Sequence, residues 1–533
     1  MRDSSLLHDL ILQHAGEPDA ERVALTHLGA HITYGRLAAS VCSFAAGVRR
    51  LGLARQERVA IYLDKRPEFV VAAFGAAAAG CVFVPVNPLL KPEQVAYILR
   101  DCNVRMLVTS AERLRLLSDQ LPGCADLRQV VLAGEATEAG QATISCMRWD
   151  DLLGDAEDLG PLRVIDTDVV SIFYTSGSTG RPKGVVLSHR NMVAGAKSVA
   201  EYLENTEEDV LLAALPLSFD AGFSQLTTGF HAGARVVLLN YLLPKDVLNA
   251  LARERVTGLT AVPPLWIQLT QVPTWPAEIA QSLRYIANTG GRMPLETLRQ
   301  LRDRLPNTRP YLMYGLTEAF RATYLSPKEV DRRPDSIGKA IPNAEILVLR
   351  EDGTECAANE PGELVQRGAL VAMGYWNDAE KTAERFRPLP GREEGLVLPE
   401  IAVFSGDTVR RDEDGFLYFI GRRDEMIKTS GYRVSPMEVE EVIYSTRAVG
   451  ECAALGVPHP TLGQAIVVVV TPPPGGDLAE EELLAHCRAR LPLYMVPSRF
   501  VVRDGPLPRN PNGKIDRKSL AEEFASARER VEA

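Results

Sequence analysis

Through the first three-quarters of the chain, strand-length apolar runs alternate with helix-length segments, and this alternation limits the fold more than any other feature. The runs at 58–63, 82–86, 106–109, 130–132, 169–174 and 210–215 are short, and Ala- and Leu-rich stretches lie between several of them. The pattern predicts βαβ units, an α/β class built on mostly parallel sheets covered by helices on both faces. At 533 residues the chain exceeds what one hydrophobic core organises, so two or more domains are expected. The apolar run 69–84 approaches a membrane span in length, yet it is Ala/Gly-rich and closes on Pro85 and Pro88. A buried helix at 67–79 followed by a buried strand at 81–84 is the better reading, and no membrane span is expected.

A domain boundary follows Gly406-Asp407. A hairpin is predicted there, with strands at 409–411 and 416–420 around a turn at 412–415, and the charged run Arg422-Arg423-Asp424-Glu425 comes next. Beyond it the pattern changes to α+β, with a helix at 436–445, a strand at 465–471 and a helix at 480–490. About a hundred residues suffice for a small domain. The expected organisation is a large N-terminal domain, 1–423, of stacked sheets and helices, and a small α+β domain, 424–533. A seam inside the large domain is expected near 154–161.

A net charge of −10 excludes a general phosphate-backbone binder, so no nucleic-acid partner is expected. The eight cysteines, Cys42 to Cys487, include no Cys-x-x-Cys pair, which leaves a disulfide framework or zinc site without support. The start, Met1-Arg2-Asp3-Ser4-Ser5, has no signal-peptide pattern, and a cytoplasmic location is expected.

The densest motif is Tyr174-Thr175-Ser176-Gly177-Ser178-Thr179-Gly180-Arg181-Pro182-Lys183-Gly184, between one hydrophobic strand and a second at 185–187. Its glycines permit tight turns, its backbone N–H groups and hydroxyls can surround phosphate oxygens, and Lys183 adds a mobile positive charge. The spacing is not that of a Walker A loop.

This loop resembles the signature of the adenylate-forming superfamily, which contains acyl-CoA synthetases, luciferases and the adenylation domains of peptide synthetases. Further matching motifs follow in that family's order: Gly290-Gly291, Tyr314-Gly315-Leu316-Thr317-Glu318, Gly362-Glu363-Leu364, Gly374-Tyr375-Trp376, Ser405-Gly406-Asp407, Gly421-Arg422-Arg423-Asp424, Gly431-Tyr432-Arg433 and Asn512-Gly513-Lys514-Ile515-Asp516-Arg517. The likeness runs from Thr33 to about Leu520. It implies an enzyme that uses ATP and Mg²⁺ to turn a carboxylic acid into an acyl-AMP, then passes the acyl group to a thiol of CoA or of a phosphopantetheinyl carrier protein. An oxygenase of the luciferase type or a non-catalytic protein on the same fold are the alternatives.

Under that resemblance each motif has a chemical task. Nucleotide contacts fall to Thr175, Ser176, Gly177, Ser178, Thr179, Gly180 and Lys183, and to Gly290, Gly291, Tyr314 and Gly315. The adenine lies against the two glycines with Tyr314 stacked on it. Asp407 offers two acceptors to the ribose hydroxyls, supported by Arg422. Glu318 suits Mg²⁺, a hard cation that prefers carboxylate and phosphate oxygens, and Thr317 can donate to the α-phosphate. Lys514 is the implied catalytic lysine, bridging the substrate carboxylate and the developing α-phosphoryl charge. Asp424 occupies the hinge about which the small, mobile C-terminal domain rotates between half-reactions.

The acid pocket implied is Asp220, Ala221, Ser224, Leu265, Ala287, Thr289, Met313, Arg321 and Ala322. Phe219-Asp220 resembles the segment of amino-acid adenylation domains whose aspartate binds the substrate ammonium, since a buried, otherwise unpaired carboxylate requires a cation. The alternative is a helix-capping Asp220. Arg321 either forks onto a second carboxylate or another polar group, or turns out to solvent. Residues 421–436 read more like acyl-CoA ligases, and 491–497 with 512–517 more like peptide-synthetase domains. The stretch from 241–244 through 321–376 also resembles stand-alone ligases associated with bacterial exosortase systems. No Gly-Gly-x-Ser-like attachment site follows Lys514, so a carrier is expected to be a separate protein.

Overall fold

The computed structural model describes residues 4–134, 144–153, 163–175, 182–390, 398–422, 425–429, 432–459, 461–473, 475–476, 478–511 and 513–529. Residues 176–181 of the Gly-rich loop, the hinge position Asp424, Gly431, Asn512 and the whole of the expected seam at 154–161 lie outside them.

Among the described residues the strands form four sheets. The first runs parallel through Val23–His27, Arg235–Leu238, Val210–Ala213, Gly258–Ala261, Tyr285–Asn288 and Arg309–Tyr314, with antiparallel strands only at its edges. The second is parallel through Ser145–Arg148, Gln129–Leu132, Val104–Thr109, Arg58–Tyr62, Val82–Pro85 and Val169–Thr175. Side-chain alternation along each strand explains how they stack. Leu211 and Ala213 face one core while Leu212 faces another, and Ile61 and Ala60 divide likewise. The core shared by both sheets holds the helices Tyr34–Arg50, Pro67–Ala78, His189–Tyr202 and Asp220–Ala232, so helices separate the sheets and others cover the outer faces. The apolar run 69–84 resolves as foreseen, a buried helix to Ala78 followed by the strand Val82–Pro85. No helix among the described residues is long and apolar enough to cross a membrane.

A third, antiparallel sheet contains the predicted hairpin. Ile401–Arg411 pairs with Leu417–Arg422 in a register that sets Asp407 opposite Arg422. The C-terminal part has its own sheet, centred on Glu451–His459 and Gly463–Thr471. Val439, Ile443, Leu483 and Cys487 from two helices pack on one face, and Leu507 and Leu520 lie on the other.

Candidate active site

Parallel strands deliver their chain at one edge of the first sheet, and ligands of open α/β sheets bind outside those carboxyl ends. The strand Tyr285–Asn288 ends in Thr289-Gly290-Gly291, and Arg309–Tyr314 ends in Gly315-Leu316-Thr317-Glu318. After Val210–Ala213 the chain turns back into the helix Asp220–Ala232. Gly222 is required there, because a Cβ would stand 1.9 Å from the Pro216 carbonyl oxygen.

Asp220 is the centre of the site, and it has partners that the sequence reading did not name. It is buried but not unpaired. Its Oδ2 accepts from Arg321 Nη1 at 3.1 Å, and its Oδ1 accepts from the Thr317 hydroxyl at 3.0 Å. It caps nothing, for the helix cap is Phe219 and makes no side-chain bond. Burial pushes the Asp220 carboxyl up, against the pull of Arg321, Thr317 and Lys514. Arg321 therefore points inward, and Thr317, expected to face a phosphate, donates its hydroxyl hydrogen bond to Asp220. The turn at Phe320 aims Arg321: this aromatic residue holds φ at 57°, a left-handed value costing on the order of 1–3 kcal/mol. Arg321 Nη1 also donates to the Phe320 carbonyl (2.9 Å), and Gln366 Nε2 donates to the Arg321 carbonyl (2.8 Å).

Behind this pair lies a cavity of about 20 Å³, walled in part by Ala221, Ser224, Met313, Thr228 and Arg321. Of the other expected pocket residues, Leu265 packs in the outer core of the first sheet and Ala322 against the third sheet. Ala287 is in the shared core, and Thr289 is buried with its N–H on the Ala261 carbonyl.

The nucleotide-side residues gather around Asp407. Tyr314 donates its hydroxyl to Asp407 Oδ2, and Arg422 Nε approaches Oδ1 at 3.4 Å without completing a hydrogen bond. Oδ1 is thus a buried acceptor with spare capacity, which fits a sugar hydroxyl. Burial raises the Asp407 carboxyl to about 6, with Arg422 and Tyr314 opposing. Glu318 Oε1 accepts from the Tyr375 hydroxyl at 2.7 Å, and among the described residues its Oε2 has no hydrogen bond, a half-exposed oxygen that fits a divalent cation. Thr175 and Lys183 pair across an antiparallel hairpin, which brackets the Gly-rich loop, and Lys183 Nζ lies 5.5 Å from the Tyr375 ring centre.

Lys514 reaches this cluster from the C-terminal part. Its Nζ stands 5.4 Å from the Phe219 ring centre, and burial lowers its pKa while Asp220 opposes the shift. Gly290, at φ 75°, makes room: a Cβ there would meet Lys514 Cε at 2.9 Å. Asn87 Nδ2 holds the lysine's loop by donating to the Pro511 carbonyl at 2.7 Å. Gln271 bonds Gly450, Glu441 accepts from the Leu295 N–H, and Arg447 pairs with Glu296 at 2.6 Å along the same seam. Sequence reading gave no role to Tyr375, although its motif was visible. It missed Asn87, whose Asn-Pro dipeptide signals a turn but not a partner 424 residues away.

Two family models match the chain: AMP-binding enzyme over residues 12–376 and AMP-binding enzyme C-terminal domain over 438–514. An L-proline–[L-prolyl-carrier protein] ligase of Streptomyces coelicolor is 34% identical, the alignment covering 97% of this chain and 95% of that protein. A long-chain-fatty-acid–CoA ligase of Bacillus subtilis is 28% identical over 94% of this chain and 92% of that one. Among solved structures, ATP-bound MatB from Rhodopseudomonas palustris superposes with a TM-score of 0.84 at 26% identity, covering 98% and 99% of the two chains. An O-succinylbenzoate CoA synthetase from Bacillus subtilis, in complex with ATP and magnesium ion, gives 0.80 at 27% identity, covering 96% and 99%.

Proposed function

This chain belongs to the family of AMP-binding enzymes, and from that membership we propose that its site activates a carboxylic acid with ATP and passes the acyl group to a thiol. The acid's carboxylate oxygen attacks the α-phosphorus of ATP and pyrophosphate leaves. The thiol of CoA or of a carrier protein then opens the acyl-AMP and releases AMP. The observation that carries the reading is that Lys514, packed against Phe219 and Gly290, lies within electrostatic reach of Asp220, which Thr317 holds at the strand ends that also carry Glu318.

Two anions must approach one another in the first step, so the site has to supply positive charge in a fixed geometry. Lys514 supplies it between the acid carboxylate and the α-phosphate. Thr317 turns its hydroxyl to the α-phosphate when ATP offers that acceptor. Asp407 and Arg422 hold the ribose, Gly290, Gly291 and Tyr314 the adenine, and Thr175 to Gly180 with Lys183 the outer phosphates. Glu318, steadied by Tyr375, would hold Mg²⁺, which when bound neutralises phosphate charge. We place the start of the mobile small domain at Asp424, the hinge. The free thiols suit a reducing cytoplasm.

Acid-dependent ATP–pyrophosphate exchange over amino, aryl and aliphatic acids tests this, followed by product mass analysis with CoA and with a carrier protein. Absence of exchange with every acid rejects the reading. An oxidised product in place of a thioester would make the enzyme an oxygenase.

Two further outcomes are expected. ATP affinity should fall as pH drops through about 6, by up to about tenfold per unit, because the ribose hydroxyls need the ionised Asp407 acceptor and protonation removes it. Asp407→Asn should bind ATP weakly with a flat profile over that range, and an unchanged slope would remove Asp407 from the ribose. Asn87→Ala should slow acyl-AMP formation about two- to tenfold, the worth of one hydrogen bond, without slowing thiol transfer from preformed adenylate. Equal slowing of both half-reactions would make Asn87 a general packing residue.

A further inference from the structure

Resting on the adenylation reading, we infer that Asp101, the last residue of the helix Pro92–Asp101, is a positioning residue for the outer phosphates of ATP. From the far side of the second sheet it fastens the hairpin around the Gly-rich loop to the segment that steadies Glu318. Tyr174, Gly184 and Trp376 form a row across the edge of that sheet. Tyr174 lies opposite Gly184 in the antiparallel pair that brackets the loop, and the Trp376 N–H donates to the Gly184 carbonyl at 2.7 Å. The row closes only over a glycine: a Cβ at Gly184 would stand 2.7 Å from Ile172 Cγ2, 3.1 Å from Tyr174 Cζ and 3.2 Å from Trp376 Cβ.

The two aromatic side chains converge on Asp101. The Tyr174 hydroxyl donates to Asp101 Oδ2 at 2.5 Å, and Trp376 Nε1 and Asn377 Nδ2 donate to the Asp101 main-chain carbonyl at 3.0 and 2.7 Å. That carbonyl is among the last four of its helix, which find no donor within it. Burial raises the Tyr174 pKa, with Cys102 and Asp101 adding to the shift, so the hydroxyl stays protonated as a donor. Arg58 braces the same point. Its Nη2 donates to the Asn103 carbonyl at 2.9 Å, and its guanidinium carbon lies 5.5 Å from the Trp376 ring centre.

The nucleotide residues occupy the reverse face. Side chains alternate along a strand, so Thr175, Lys183 and Tyr375 point away from Asp101. Their neighbours divide accordingly, Phe173 and Val185 in the shared core and Ile172 and Val186 in the outer one. On the reverse face Lys183 approaches the Tyr375 ring, and Tyr375 gives its hydroxyl hydrogen bond to Glu318 Oε1. The spacing between the lysine and the carboxylate is thus set from behind, and misplacing such groups weakens what they hold together.

Equilibrium titration of the full chain with Mg·ATP and with AMP tests this and needs no acid. AMP lacks the outer phosphates, so it reads the adenine and ribose contacts alone. Tyr174→Phe, which deletes one hydroxyl, should weaken ATP binding about three- to tenfold, the effect of one hydrogen bond to a charged group, and leave AMP within about twofold. Asp101→Ala should match it, and Asp101→Asn, which keeps an acceptor oxygen, should recover most of the affinity. The double variant Asp101→Ala with Tyr174→Phe should be no weaker than the worse single one. If Asp101→Ala does not fold, Tyr174→Phe and Asp101→Asn decide. Unchanged ATP affinity in Tyr174→Phe, or equal loss for ATP and AMP, overturns the proposal while the adenylation reading stands. A parent that binds no ATP removes that reading and the proposal with it.

Discussion

Lys514→Ala will lower the rate of acyl-AMP formation by about 10²–10³-fold and leave thiol transfer from preformed acyl-AMP nearly unchanged, the usual cost of removing one preorganised donor from a developing oxyanion. The ammonium is brought to the strand ends by a loop tied through Pro511 to Asn87, and Gly290 leaves it room. On the proposed reading its charge is needed only while carboxylate and phosphate approach, which separates the two half-reactions. Gly290→Ala should mimic the loss in part, since its Cβ would crowd Lys514 Cε. Rapid-quench measurement of each half-reaction decides the matter. Near-parent adenylation in Lys514→Ala would remove the lysine from the chemistry.

Arg321→Met will destabilise the large domain by about 3–5 kcal/mol, because it leaves Asp220 as an uncompensated buried charge. Methionine is apolar and flexible enough to fill much of the vacated space, so the loss is electrostatic more than steric. The double substitution with Asp220→Asn should recover most of it, and the coupling between the two sites is the quantity to report. The pH dependence gives a second signature. Without Arg321 the folded-state pKa of Asp220 rises further above its unfolded value, so the deficit is full above the folded pKa and shrinks as pH falls toward the unfolded one. Denaturant unfolding of parent, both single variants and the double, at two pH values, reads all of this. Strict additivity would show that the pair does not act as a unit.

Sequence reading reached the layered sheets because period and composition are local properties. Val82–Pro85 announces a buried strand by itself, and Asp407 and Arg422 could be joined because a hairpin connects them. The partnerships that define the acid site are not local. Asp220 and Arg321 are 101 residues apart, and nothing in either neighbourhood says that they meet. The resemblance gave Asp220 a substrate ammonium as partner, and in the structure Arg321 of the same chain stands beside it. Phe320 shows the limit from the other side. No aromatic residue announces a left-handed backbone, yet Phe320 adopts one immediately before Arg321.

The seating of Lys514 also sets how faithfully ATP consumption is tied to product. While the lysine's loop rests on Asn87, Lys514 is buried over Phe219, and on the proposed reading that seating would keep water from a reactive mixed anhydride. Each lifting of the loop before a thiol is in place exposes that anhydride to hydrolysis. On that reading AMP released without thiol would count the futile openings of the loop that the Asn87 amide holds.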